Sequence, residues 1–156
     1  ANCQLPTANC QLFISAIMVT MKEKYPLDPL IIKTIVAELP DVQAIYRYGS
    51  AGSIYERPDS DIDIAILASQ TVPFQVITKL VERLMELTGR DIDLHDMQKL
   101  PVTLRVQIVL QGKRIYCMDR VAAETYDSHT LSDYVRLNEE RQFILQDIQQ
   151  REQIYG

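Results

Sequence analysis

Two short segments of the chain, DIDIAIL at 61–67 and DIDLHDM at 91–97, carry the same unusual pattern. In each, aliphatic positions alternate with acidic or polar ones. Successive side chains of a strand point to opposite faces. Ile62, Ile64 and Ile66 therefore share one face, while Asp61 and Asp63 share the other. The second segment repeats the device, with Ile92 and Leu94 set against Asp91, Asp93 and His95. Both read as strands, and the isoleucine face of each belongs in a core. The carboxylate faces need another explanation.

The remaining elements fit around these two. DPLIIKTIVAEL, 28–39, predicts a helix with Asp28 as N-cap, Pro29 in the first turn and a stop at Pro40. AIYRYG, 44–49, predicts a short strand ending in a Gly49-Ser50 turn. TVPFQVITKLVERLMELTG, 71–89, places Phe74, Ile77, Val81 and Leu84 on one helical face, with Thr71 as cap and Gly89 as stop. Pro101 and Gly112 bracket a further helix, and KRIYC, 113–117, is a brief extended piece. From about Asp119 to Tyr155 the chain reads as mainly helical, with the Thr130-to-Asp133 spacing capping a new helix. Tyr134, Leu137, Ile144 and Ile148 form its apolar stripe, which packs on the sheet or docks on a partner. Three central strands with helices around them make a small α/β or α+β domain with a C-terminal helical tail.

The 156 residues fit one domain. A net charge of −5 lacks the basic footprint of a general nucleic-acid binder, so no direct nucleic-acid binding is expected. A nucleotide ligand stays open, because a divalent cation can supply the missing positive charge. No apolar run reaches bilayer-spanning length. Cys3, Cys10 and Cys117, with only His95 and His129, make no zinc pattern and read as free thiols of a cytoplasmic protein. The pentapeptide ANCQL recurs at 1–5 and 8–12, and no Met precedes Met18. Residues 1–20 are set aside as a disordered leader or upstream extension, leaving 21–156 as the domain.

Two like charges on one strand face raise a pKa or recruit a cation. Asp59 is well explained as a turn residue of RPDSD. Asp63 is not, because Asp is depleted within strands. Alone, the Asp61-x-Asp63 pair favours the solvated-turn reading over metal binding, because short acidic pairs are frequent in ordinary composition. The second acidic strand changes the balance, since two such strands can converge to clamp two divalent ions. Ions about 3.5–4 Å apart activate an attacking oxygen and stabilise a leaving pyrophosphate. Oxygen-rich sites of this kind suit Mg²⁺, with Mn²⁺ as the alternative. The Gly49-Ser50 turn would let backbone amides approach a phosphate. His95 reads either as a polar strand end or as a partner of Asp93, and Tyr46, Tyr48 and Tyr55 as packing or as base-stacking surface.

Gly49-Ser50, ten intervening residues and Asp61-x-Asp63 resemble the signature of the polymerase-β-like nucleotidyltransferases. RPDSDIDIAIL and the stretch from DIDLHDM to KRIYC resemble minimal nucleotidyltransferases, so the likeness covers about residues 28–155. It implies a small mixed β-sheet flanked by helices. It also implies Asp61, Asp63 and Asp93 as catalytic ligands of two Mg²⁺ ions, with Asp93 as general base and Asp91 as second choice. Gly49, Ser50, Arg57 and Ser60 would hold the triphosphate of ATP, although Arg57 reads equally well as solvated surface. The chain departs from the family at Gly52-Ser53-Ile54, where the small residue is displaced.

Stand-alone members of this size are typically antitoxins that transfer AMP to a tyrosine hydroxyl of a HEPN-domain ribonuclease toxin, and the resemblance implies the same here. A homodimer is compatible with the C-terminal stripe. The alternatives are an aminoglycoside-type nucleotidyltransferase and a non-catalytic antitoxin that neutralises by binding. The intact carboxylate set disfavours the second of these, and the lack of a visible acceptor domain disfavours the first.

Overall fold

The computed structural model describes residues 27–49 and 60–155, with side chains to residue 150. The elements are α1 (Asp28–Glu38), β1 (Val42–Tyr48), β2 (Ile62–Ala68), α2 (Phe74–Thr88), β3 (Ile92–Asp96), α3 (Val102–Gln111), β4 (Lys113–Cys117) and α4 (Arg120–Tyr155). A 3-10 turn, Met97–Lys99, leads out of β3. The residues expected to be a leader or extension, 1–20, lie outside the described residues.

The strands form one mixed sheet in the order β3-β2-β1-β4. β1 runs antiparallel to both β2 and β4, whereas β2 and β3 are parallel and joined through α2. The extended piece at 113–117 is thus a full edge strand.

Both faces of the sheet are covered. Ile45, Ile62, Ile64, Ile66, Ile92, Leu94 and Ile115 pack with Ile31 and Ile35 of α1 and Leu80 and Leu84 of α2. Each such side chain contributes about 1.5–3 kcal/mol on burial. On the opposite face Ala44, Tyr46, Ala65 and Leu67 pack with Met97, Ile108 of α3 and Ala123 of α4. The acidic face of β2 is therefore apolar beyond Asp63, and its small residues Ala44 and Ala65 give the second helical layer room to approach.

Two helix starts differ from those expected, whereas Pro101 is the N-cap of α3 as expected. Asp28 is the first helical residue rather than the cap, which is Leu27. Its carboxylate is fully buried and takes a hydrogen bond from Arg47 Nη1 at 2.8 Å, with Lys113 Nζ at 3.8 Å. A buried charge needs such partners, and the pair ties α1 to β1 one residue before Tyr48. Thr71 does not cap α2; the N-cap is Pro73. The preceding loop is held instead by buried Asp96, whose Oδ2 accepts from Val72 N–H at 2.9 Å and Oδ1 from Gln98 N–H at 3.0 Å. At the other end Gly89, at φ +66°, closes α2 in the left-handed conformation expected of that glycine.

The C-terminal region is one continuous 36-residue helix, and Thr130 is buried within it rather than capping a new one. Its first half anchors to the domain. Tyr46 Oη donates to Asp127 Oδ1 at 3.0 Å, Arg114 pairs with the same carboxylate, and Tyr126 Oη donates to the Met97 carbonyl at 2.7 Å. The apolar stripe does not lie on the sheet throughout. Tyr134 and Leu137 are partly buried, whereas Phe143, Ile144, Leu145 and Ile148 are exposed.

Candidate active site

The parallel register of β2 and β3 sets Asp63 directly beside Asp93. The antiparallel register of β1 sets Tyr48 on the other side of Asp63. Three adjacent strands thus contribute Tyr48, Asp63 and Asp93 to one row on the second face of the sheet, at the end that Ala65 and Leu67 leave behind. Asp61 stands exposed just before β2.

Electrostatics match this crowding. The Asp63 carboxyl is pushed above the usual carboxylate range, first by partial burial, then by the charges of Asp93 and Asp61; His95 opposes the shift. The Tyr48 hydroxyl is likewise held far above its ordinary value by burial and by Asp93 and Asp63. Asp93 is more exposed, and its Oδ1 lies 2.9 Å from His95 Nε2. His95 is therefore a partner of Asp93 rather than an idle strand end.

Gly49 closes β1 with φ +71°, and a β-carbon there would overlap the Asp63 carboxylate, approaching its Cγ to 2.9 Å. The glycine makes room for Asp63, a reason distinct from access to a phosphate. Ser60 sits at the mouth of β2, where its carbonyl accepts from Arg90 Nε at 2.9 Å. Ser50 and Arg57 lie outside the described residues. Asp91 is exposed, and its carbonyl accepts from Ile62 N–H at 2.9 Å. The residue level with Asp63 is Asp93, not Asp91.

No group of three His, Cys, Asp or Glu side chains among the described residues is drawn together as a ready metal cage. The donor set nonetheless fits a hard divalent cation: carboxylate oxygens from adjacent strands, mutually repelled, a repulsion that a bound cation would relieve.

Beside the row lies a cavity of about 240 Å³, lined among the described residues by Tyr48, Gly49, Asp63, Leu104, Gln107, Gln111 and Gly112. Gln107 and Gln111 were not singled out from sequence. Their one available signal is the four-residue spacing on a helix that ends at Gly112, next to the Gly49 end of β1.

The family described as Polymerase beta, Nucleotidyltransferase matches residues 31–121. The protein adenylyltransferase MntA of Shewanella oneidensis is 34% identical over 118 residues, covering 76% of this chain and 84% of that protein. A crystal structure of a toxin–antitoxin with AMP-PNP contains a chain 33% identical to this one, with a TM-score of 0.70, covering 78% of this chain and 97% of that one. A second, of a tri-AMPylated Shewanella oneidensis HEPN toxin in complex with MNT antitoxin, matches at 31% identity and TM-score 0.67, over 80% of this chain and 98% of that one. Four mixed strands between helical layers, a carboxylate row opened at Gly49 and a family match over more than half its length lead to one assignment: this chain belongs to the polymerase beta nucleotidyltransferase family.

Proposed function

We propose that this protein is an adenylyltransferase antitoxin that moves AMP from ATP to a tyrosine hydroxyl of a HEPN-domain ribonuclease partner. The observation that carries the reading is the likeness to MntA along 76% of the chain. Among its structural neighbours are complexes with AMP-PNP and with a tri-AMPylated HEPN toxin. The row of Asp63 and Asp93 beside Gly49 supplies groups suited to the chemistry.

Asp61 and Asp63 would hold Mg²⁺, shared with Asp93, as a pair of ions; Mn²⁺ can replace it. When bound, the ions neutralise triphosphate charge and make the acceptor hydroxyl more acidic. The chain's residues do the rest. Gly49 lets the Asp63 carboxylate lie against the β1 turn, and Ser50, Arg57 and Ser60 are proposed to orient the triphosphate. Asp93 takes the proton of the tyrosine hydroxyl as its oxygen attacks the α-phosphorus. A new P–O bond forms to the tyrosine, the bond from the α-phosphorus to the bridging oxygen breaks, and pyrophosphate leaves. His95, at 2.9 Å from Asp93, fixes the orientation of that carboxylate.

No helix among the described residues is long and apolar enough to cross a membrane, and Cys117 is a free thiol. Both suit an ATP-dependent protein of the cytoplasm. The test is intact-mass measurement of the HEPN-domain partner after incubation with this protein, ATP and Mg²⁺. The expected result is a gain of one or more AMP units that is lost with Asp61→Asn and with Asp63→Asn. A partner inhibited without any gain in mass would overturn the reading.

A further inference from the structure

The cavity beside Asp63 lies on the β1 and α3 side of that residue, whereas Asp93 lies on its β3 side. An acceptor whose proton goes to Asp93 must approach from the β3 side. That leaves the cavity to the nucleotide. Its lining suits only part of one. Asp63 is the single charged side chain among the described residues that line it, and the rest of that described lining is neutral. At about 240 Å³ it falls just below the roughly 300–1,000 Å³ of sites for drug-sized ligands.

What it does offer is neutral and directional. Gln107 and Gln111 are one turn apart on α3, so their carboxamides share a face. Leu104, one turn earlier, continues that face as an apolar wall, and Tyr48 adds an aromatic ring to the lining. A carboxamide presents one acceptor and a pair of donor hydrogens side by side. The adenine edge, with an exocyclic amine donor beside the N7 acceptor, is its complement. Guanine presents two acceptors on that edge and leaves the carboxamide oxygen unmatched.

We infer that Gln107 and Gln111 form the base-reading wall of the nucleotide site and select adenine. The inference rests on the nucleotidyl-transfer reading above and assigns its base specificity. The base lies along α3, and the α-phosphate reaches back to Gly49 and Asp63.

The test is direct binding of ATP, GTP and inorganic tripolyphosphate to the whole chain in Mg²⁺, followed by calorimetry. The wild-type protein should bind ATP at least about tenfold more tightly than GTP. Combining Gln107→Leu with Gln111→Leu should bring the two nucleotides to within about threefold, with tripolyphosphate affinity unchanged. Gln111→Met, which keeps the length, adds no charge and removes the carboxamide, should also weaken ATP but not tripolyphosphate. Both glutamines are exposed, so the variants should melt like the wild type.

Discrimination that survives in the double variant overturns the inference, and so does a parallel loss of tripolyphosphate. A wild-type protein that binds ATP and transfers AMP, with variants altered only in partner KM, also overturns it while leaving the transfer reading intact. A wild-type protein that binds no nucleotide overturns both.

Discussion

The carboxylate of Asp63 occupies the space that a β-carbon on Gly49 would need. Gly49 follows directly on Tyr48, the β1 residue paired with Asp63, and begins the turn after β1 at a φ of +71°. A side chain at position 49 thus meets two penalties, a left-handed backbone and a displaced carboxylate. Gly49→Ala should lower transfer at least tenfold and cost about 1–2 kcal/mol of stability through the backbone alone. Activity measured well below the melting temperature separates the two effects. An alanine variant with wild-type turnover would show that Asp63 does not need this position.

Asp63 should cost the metal-free protein stability at neutral pH. Its folded-state pKa lies above the ordinary carboxylate value, because of burial and the nearby Asp93 and Asp61 charges. Its favourable contribution is therefore present below the unfolded value and lost as pH rises through the folded one. In EDTA, Asp63→Asn should melt higher than the wild type at pH 7–8, and the gap should close as pH falls toward the carboxylate range. Mg²⁺ should reverse the order by stabilising only the wild type, by about 2.7 kcal/mol at a hundredfold excess over Kd. Thermal melts across pH, with and without Mg²⁺, check both halves.

His95 should act on turnover rather than on nucleotide affinity. It touches Asp93, on the far side of Asp63 from the cavity. His95→Ala should reduce kcat about tenfold while leaving KM for ATP within about twofold, the signature of an interaction made mainly in the transition state. A rise in KM for ATP with kcat unchanged would remove the residue from this role.

The buried Arg47–Asp28 pair should be costly to break from either side. Arg47→Ala leaves a fully buried carboxylate with Lys113 at 3.8 Å as a remaining cation. The expected loss is about 3 kcal/mol, the low end for a broken buried pair. Replacing both residues together, Asp28→Leu with Arg47→Met, should cost clearly less. Denaturant unfolding of the two single variants and the double measures the difference.

The acidic strands were legible from the chain because a period of two is strong when isoleucine and aspartate alternate. Asp63 and Asp93 could be paired in advance only through their resemblance to known enzymes; the register that sets them level is a tertiary fact. Helix stops at Gly89 and Gly112 were readable from local chemistry. Two of the starts were not, although Pro101 opens α3 as expected. Asp28 looks like a cap, but its carboxylate is drawn inward to Arg47, a residue 19 positions away. Thr71 loses its role to Asp96, which reaches the loop from another strand. Thr130 has the spacing of a cap, but burial on the domain decides its place inside α4. The glutamines were invisible for a related reason: an exposed polar pair on a helix acquires meaning only when the fold sets it beside Gly49. Ser50 and Arg57 lie outside the described residues, so their proposed part in holding the triphosphate rests on the resemblance.

The central claim, that the carboxylate row transfers AMP to a protein hydroxyl, is tested most directly with ATP labelled at either the α or the γ phosphorus. With the HEPN-domain partner and Mg²⁺, the α label should appear on the partner and the γ label should not, and Asp63→Asn should abolish the signal. Transfer of the γ label, or α labelling that persists in Asp63→Asn, would contradict the account.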